Sequence, residues 1–246
     1  MPKRGLSQEG LKLIACVTML LDHIGATIVL AAFYQAPVAE KGKLLEIYET
    51  LRIIGRLAFP IYCFLLVEGA FYTKNAKRYG VRLLIGALLS ELPFDLAFSG
   101  GIDHQSQSVM ITLLLGFVML QIMKQCPNLV LKLVTVLPFA FIAEKLSTDY
   151  GWMGIAVIAV FALTRELPYK HLLQFFGMWF IFSPNHLMML NWLSGFDYTI
   201  QELCVFALVP IALYSGQKAI KSKAVQWIFY LFYPVHLAVL YLISMI

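Results

Sequence analysis

Residues 11–33 read LKLIACVTMLLDHIGATIVLAAF, a stretch of apolar residues interrupted at Lys12 and again at Asp22-His23. About 20 apolar residues are needed for a helix to cross the hydrocarbon core, and this segment is long enough. The interruption matters as much as the length. A charged pair in mid-span is costly in lipid and marks a functional position. It also speaks against reading the segment, with its preceding Lys3 and Arg4, as a cleaved signal peptide, since later segments are just as apolar.

The rest of the chain agrees with this segment. Of 246 residues, 60% are hydrophobic and 13% charged, against about 45–50% and about 25% in soluble domains. So little charge cannot cover a water-facing globule. The composition excludes a soluble enzyme, a disordered chain and a nucleic-acid module. Cys16, Cys63, Cys126 and Cys204 lie far apart without a C-x-x-C pair, so no metal site is expected.

The fold class is therefore all-α, a polytopic transmembrane helical bundle. About nine spans are expected, roughly at 10–33, 51–73, 80–99, 108–123, 128–146, 151–164, 171–184, 200–214 and 225–245, the sixth and seventh being short enough to be tilted, re-entrant or merged. With a cytoplasmic N-terminus, the inner segments hold Lys3, Arg4, Lys74, Lys77, Arg78, Lys124, Arg165, Lys170, Lys218, Lys221 and Lys223. The outer loops hold Lys41, Lys43 and Lys145. Such a bias predicts N-terminus in and C-terminus out. Without a linker, repeat or low-complexity tract, residues 1–246 read as one domain.

Ionisable residues inside the expected spans are the functional candidates. Lys12 and His23 are eleven residues apart, three turns, and share a face about 16 Å apart along the axis. Asp22 projects about 100° from His23 and suits a partner on another helix. Arg52 and Arg56 share a face, as do Glu91 and Asp95, with Pro93 between them bending the helix. His236 lies midway along the last span. By rise per residue, His23, Arg56, Glu91, Asp95 and His236 fall near one depth, which predicts a polar chamber. Glu68, Arg82 and Lys132 sit near cytoplasmic ends, where long side chains can snorkel. Asn185 and His186 are expected on an outer loop.

These residues lie in blocks that resemble the TraX family. The blocks are Leu11-Lys12-x-Ile14-Ala15 with Met19-Leu20-Leu21-Asp22-His23-Ile24-Gly25, Gly55-Arg56-Leu57-Ala58-Phe59-Pro60-Ile61-Tyr62-Cys63-Phe64 with Val67-Glu68-Gly69, Ser90-Glu91-Leu92-Pro93-Phe94-Asp95, and Phe229-Tyr230-x-Phe232-Tyr233-x-x-His236-Leu237. The resemblance runs in order over most of the chain. It implies a bacterial inner-membrane protein connected with acetylation of a pilin N-terminus. It further implies kinship with integral-membrane acyltransferases that acetylate surface sugars. Those carry a basic residue, ten residues and then a catalytic histidine, and Lys12 and His23 match that spacing, with lysine where arginine is commoner.

The implied activity is transfer of acetyl from cytoplasmic acetyl-CoA to an amine or hydroxyl of a peptide or glycan acceptor. His23 is the expected general base, Asp95 or Glu91 the carboxylate that orients it, and Arg56 the oxyanion stabiliser. Lys12, Asp22, Arg52, Glu68, Tyr233 and His236 are the expected substrate-binding residues. The lipid bilayer, acetyl-CoA and the acceptor are the expected partners. Two other classes fit the same residues: a proton-coupled transporter, because Asp, Glu and His also form proton relays, and a non-catalytic subunit of a conjugation or surface-fibre assembly system.

Overall fold

The computed structural model describes residues 5–103, 105–183, 200–220 and 222–245. Lys3, Arg4, Asn185, His186 and Lys221 lie outside the described residues. The described chain is helical, without a strand; its only bridges are the isolated pairs Leu6–Tyr214 and Gln107–Thr148.

The helices are α1 (Gln8–Ile24), a π-helical turn Gly25–Val29, α2 (Leu30–Gln35), α3 (Val38–Gly55), α4 (Ala58–Tyr72), α5 (Ala76–Ser99), α6 (Val109–Met123), α7 (Leu129–Lys145), α8 (Gly151–Thr164) and α9 (Lys170–Phe182). A 3₁₀ segment Gln201–Ala207, α10 (Leu208–Ala212) and α11 (Lys223–Ser244) follow. Apart from α3, they lie where the apolar segments predict helices, and α8 and α9 are separate rather than merged. Side-chain caps start three of them, α5 through Asn75 Oδ1, which accepts from Arg78 N at 2.8 Å. Ser7 Oγ accepts from Gly10 N at 3.1 Å, and Asn128 Oδ1 from Leu131 N at 2.9 Å, each satisfying a backbone donor that has no intrahelical partner.

One expectation is corrected. Residues 34–50 were expected to be an outer loop leading to a span at 51–73; instead α3 begins at Val38, directly after Pro37. The segment Val38–Glu49 holds alanine, leucine, lysine and glutamate, which favour helix. Glu40 and Lys43, and Lys43 and Glu46, are also spaced as helical neighbours. Charge alone made this helix look like a loop.

Among the described residues, three helices are long and apolar enough to cross a membrane: Gln8–Gln35, Val38–Tyr72 and Ala224–Ser244. The surfaces of other helices agree. On α7, Val130, Leu137 and Phe141 are each more than 60% exposed, an apolar face that water would not tolerate. The chain is a membrane protein on these grounds.

The chain divides into two compact units. The first comprises Met1–Ile61, Leu92–Ile102 and Asp197–Ile246, the second Tyr62–Glu91 and Asp103–Phe196. In the first, α1 packs against α3 and α11, around buried Leu11, Ala15, Met19 and Leu237. The N-terminal residues are tied to the segment before α11: Leu6 N donates to Leu213 O, Gln8 N to Gln217 O, and Ala219 N to the Glu9 carboxylate. In the second unit α6, α7, α8 and α9 pack on one another around Met119, Leu120, Ile158 and Met178. Gly116 allows the close approach there, since a Cβ at that position would overlap Ile158.

Candidate functional site

In the first unit, α1 carries Asp22 and His23 side by side, and the two residues point to different neighbours. Asp22 turns towards α3. Arg52 Nη1 lies 2.6 Å from Asp22 Oδ2, and Arg56 Nη2 donates to Asp22 Oδ1. Arg52 and Arg56 share one helical face, so one carboxylate bridges both. Gly55 lies between them and leaves the space that the Asp22 side chain fills. The cluster is buried, with 5% of the Arg56 side chain and 11% of that of Asp22 exposed.

His23 turns towards α11. Its Nδ1 lies 2.7 Å from His236 Nε2. The two ring planes are 4° apart with centroids at 4.9 Å. His236 Nδ1 in turn lies 2.7 Å from the Phe232 carbonyl oxygen, one turn earlier on α11. The direction of these bonds follows from the carbonyl, which can only accept. His236 therefore carries its proton on Nδ1 and, with both rings neutral, accepts at Nε2. His23 donates from Nδ1, and its lone pair is left on Nε2. Two histidines and one carbonyl thus fix the tautomer of His23.

Aromatic rings wall this pair. Phe98 meets the His23 ring edge-on at 5.4 Å, Tyr233 does so at 6.1 Å, and Phe232 stacks on His236 at 4.8 Å. His236 is buried, whereas His23 is half-buried and so more accessible. The π-helical turn begins two residues after His23, and Thr27 Oγ1 donates to the His23 carbonyl at 2.6 Å. Such single-turn bulges recur at functional sites, because they change the helical register locally.

The structure thus brings together His23 with His236 and Tyr233, and Asp22 with Arg52 and Arg56. Lys12 lies on α1 three turns before His23, its ammonium over the Phe229 ring at 5.3 Å. Asp95 is buried in the same unit.

The carboxylate expected on the His23 ring is not what the ring meets. Among the described residues its hydrogen bond goes to His236. Glu91 belongs to the second unit, where it accepts from Ser108 Oγ at 2.5 Å and from Ser108 N at 3.2 Å, beside the start of α6. Pro93 falls where α5 passes from one unit to the other. The expected chamber of five groups is therefore represented in the first unit by His23, His236, Arg56 and Asp95, without Glu91.

Glu68 is also in the second unit and is ion-paired. Arg165 Nε lies 2.9 Å from Glu68 Oε1, and the guanidinium also donates to Glu166 and covers the rings of Phe71 and Tyr72 at 4.8 and 5.0 Å. Burial alone would lower the Arg165 pKa, but the hydrogen bond and charge of Glu68, with the charges of Tyr72 and Glu166, together outweigh it, and the pKa is raised. Lys124 donates to the Ala70 carbonyl and lies over Phe71 at 4.9 Å; burial, then the neighbouring Arg165, lowers its pKa.

Sequence reasoning did not single out Phe98, Phe232 or Thr27 as parts of the site. Each had a spacing signal: Phe98 is three residues from Asp95, Phe232 four from His236, and Thr27 four from His23. These are the intervals at which helical residues meet.

No solved structure matches the chain. It is similar to a protein of Dichelobacter nodosus described as "Probable fimbrial assembly protein FimC, serogroup H1", with 27% identity over 251 residues, covering 94% of this chain and 92% of the relative. The family model described as TraX protein matches residues 7–244, which takes in α1, the Asp22 clamp, both histidines and nearly all of both units, and the chain belongs to the TraX family.

Proposed function

We propose that this chain is a multi-pass protein of the bacterial inner membrane, N-terminus cytoplasmic, that transfers acetyl from acetyl-CoA to an amine or hydroxyl of a pilin-like peptide or surface glycan. The observation that carries this reading is the contact between His23 Nδ1 and His236 Nε2, continued to the Phe232 carbonyl. It leaves His23 Nε2 as an oriented base on a ring that Phe98 and Tyr233 wall.

The step runs as in other histidine-assisted acyl transfers. The acceptor nitrogen or oxygen attacks the thioester carbonyl while its proton passes to His23 Nε2. Collapse of the adduct breaks the carbon–sulfur bond, and the departing thiolate takes the proton from Nε2. His236 holds the Nδ1 side throughout, the orienting place that a carboxylate fills in serine hydrolases. Because His236 is neutral, the charge gained by His23 is shared along the two rings. Asp95, buried in the same unit, would supply the countercharge. Arg52 and Arg56 hold Asp22 and thereby the turn of α1 that bears His23; their positive charge would favour an oxyanion nearby. Lys12, about 16 Å along α1 towards the expected cytoplasmic side, would bind the phosphates of CoA. Nine spans and positive residues inside remain the topology that fits this arrangement.

Purified protein in detergent, incubated with radiolabelled acetyl-CoA, tests the reading. Thioester turnover or a labelled membrane component is expected in wild type and lost in His23→Ala at equal abundance and melting temperature. Equal behaviour of both proteins, with acetyl-CoA neither bound nor consumed, overturns it.

A second reading has its own support. The name of the Dichelobacter nodosus relative points to fimbrial assembly, which a non-catalytic subunit would also serve. In that case His23→Ala would leave fimbriation intact.

A further inference from the structure

A groove of about 500 Å³ runs between the first half of α5 and the second half of α6, within the second unit. Its α5 wall is Lys77, Gly80, Val81 and Leu84, and its α6 wall includes Leu114, Phe117, Val118 and Gln121. The spacing of three and four on each helix makes two facing stripes. Gly80 deepens the groove, since a Cβ there would approach Phe117 to 3.1 Å.

Polarity is confined to one end. Lys77 lies at the start of α5 and Gln121 near the end of α6, so both close the same end of the groove. Lys77 is exposed. Gln121 Nε2 is buried without a hydrogen-bond partner among the described residues. That nitrogen lies beneath the groove surface, which leaves Lys77 as the polar group that a ligand can reach. Lys74 and Arg78 flank Lys77 in sequence, and Lys124 follows Gln121. The ligand that fits has an apolar tail and a negatively charged head. The walls offer no other polar side chain, so a polar arm such as pantetheine would lose its hydrogen bonds there.

We propose that the α5–α6 groove seats one anionic glycerophospholipid, an acyl chain along Val81, Leu84, Leu114 and Val118 and the phosphate region at Lys77. The site is independent of the histidine pair and of acyl transfer. It gives the protein a preference among membrane lipids through the charge at one end of an otherwise nonselective apolar slot.

Native mass spectrometry of the full-length protein in detergent, titrated with dioleoyl-phosphatidylglycerol or dioleoyl-phosphatidylcholine, tests this. One saturable phosphatidylglycerol site is expected, about fivefold tighter than phosphatidylcholine, the gain associated with one lysine at a lipid surface. Lys77→Glu removes the preference and leaves phosphatidylcholine binding unchanged. Leu84→Trp, which fills the slot, abolishes the saturable site. Val81→Phe serves the same purpose should Leu84→Trp lower the melting temperature. Equal affinity for the two lipids in wild type, a preference that survives Lys77→Glu, or a site that survives both groove-filling variants overturns the proposal. His23→Ala retains the lipid whether or not it retains turnover, which separates this result from the test of acyl transfer.

Discussion

Gly55 of α3 lies against the side chain of Asp22 of α1, so closely that a Cβ at residue 55 would overlap the carboxylate. Glycine is there for space, since its backbone is ordinary helix. Gly55→Ala should push the two helices apart or displace Asp22 from Arg52 and Arg56. Overpacking of this kind costs roughly 1–3 kcal/mol. Thermal unfolding in detergent reads it, and a melting temperature equal to wild type would refute the contact.

Asp22 holds two guanidinium groups in a buried place. Asp22→Ala leaves both without this counter-ion, and breaking a buried pair costs roughly 3–5 kcal/mol. The variant should be depleted in membranes relative to wild type. Asp22→Asn keeps the shape and some hydrogen bonding, and should fall between the two. An abundance ranking in which Asn is no better than Ala would show that charge alone, without the hydrogen-bond geometry, decides.

His236 is a positioning residue in the proposed chemistry, and its replacement separates orientation from bulk. His236→Leu removes the acceptor at His23 Nδ1 and should lower acetyl transfer by about 10²–10⁴-fold, the range attributed to a positioned base. His236→Gln offers an amide oxygen to the same N–H and should recover part of that loss. Rates at several pH values, with KM and kcat resolved, are the measurement. Equal loss in both variants would mean that His236 only packs.

Glu68 is paired with Arg165, and a structural role for the pair is expected. Arg165→Ala leaves a mostly buried carboxylate without its partner and should destabilise the protein, with Arg165→Lys milder because lysine lacks the planar fork. Glu68→Gln should lower the melting temperature and leave turnover per folded molecule near wild type. A selective loss of turnover would return Glu68 to the substrate-binding set.

The proposed topology has its own test. Reporter fusions after residue 245 should report an external C-terminus, and fusions after residue 126 a cytoplasmic loop. A cytoplasmic C-terminus would remove one span from the proposed nine.

Much of the fold was legible because its signals are local. Apolar length predicts the helices whatever they pack against, and α6, α7, α8 and α11 begin and end within about two residues of the expected spans, the usual uncertainty of helix ends. The exception, α3, was misread because a charged helix and a charged loop have similar composition; only a tally of helical spacing distinguishes them. The site was legible as a set of residues in the wrong place for lipid, and His23, Asp22, Arg56 and His236 were all singled out on that ground.

What the residues touch was not legible. The 100° between Asp22 and His23 sends the acid to α3 and the base to α11, but which helix lies in each direction depends on packing among segments far apart in sequence. Glu91 and Asp95, a helical turn apart, were read as equivalent candidates; packing leaves Asp95 in the unit of His23 and ties Glu91 to Ser108 in the other. Composition, periodicity and the expense of charge in hydrocarbon suffice to establish a helical membrane chain and its unusual residues, because each is a property of one segment. The partner on His23 Nδ1, and with it the tautomer, belongs to tertiary structure, because a hydrogen bond between residues 23 and 236 exists only once the helices that carry them are packed side by side.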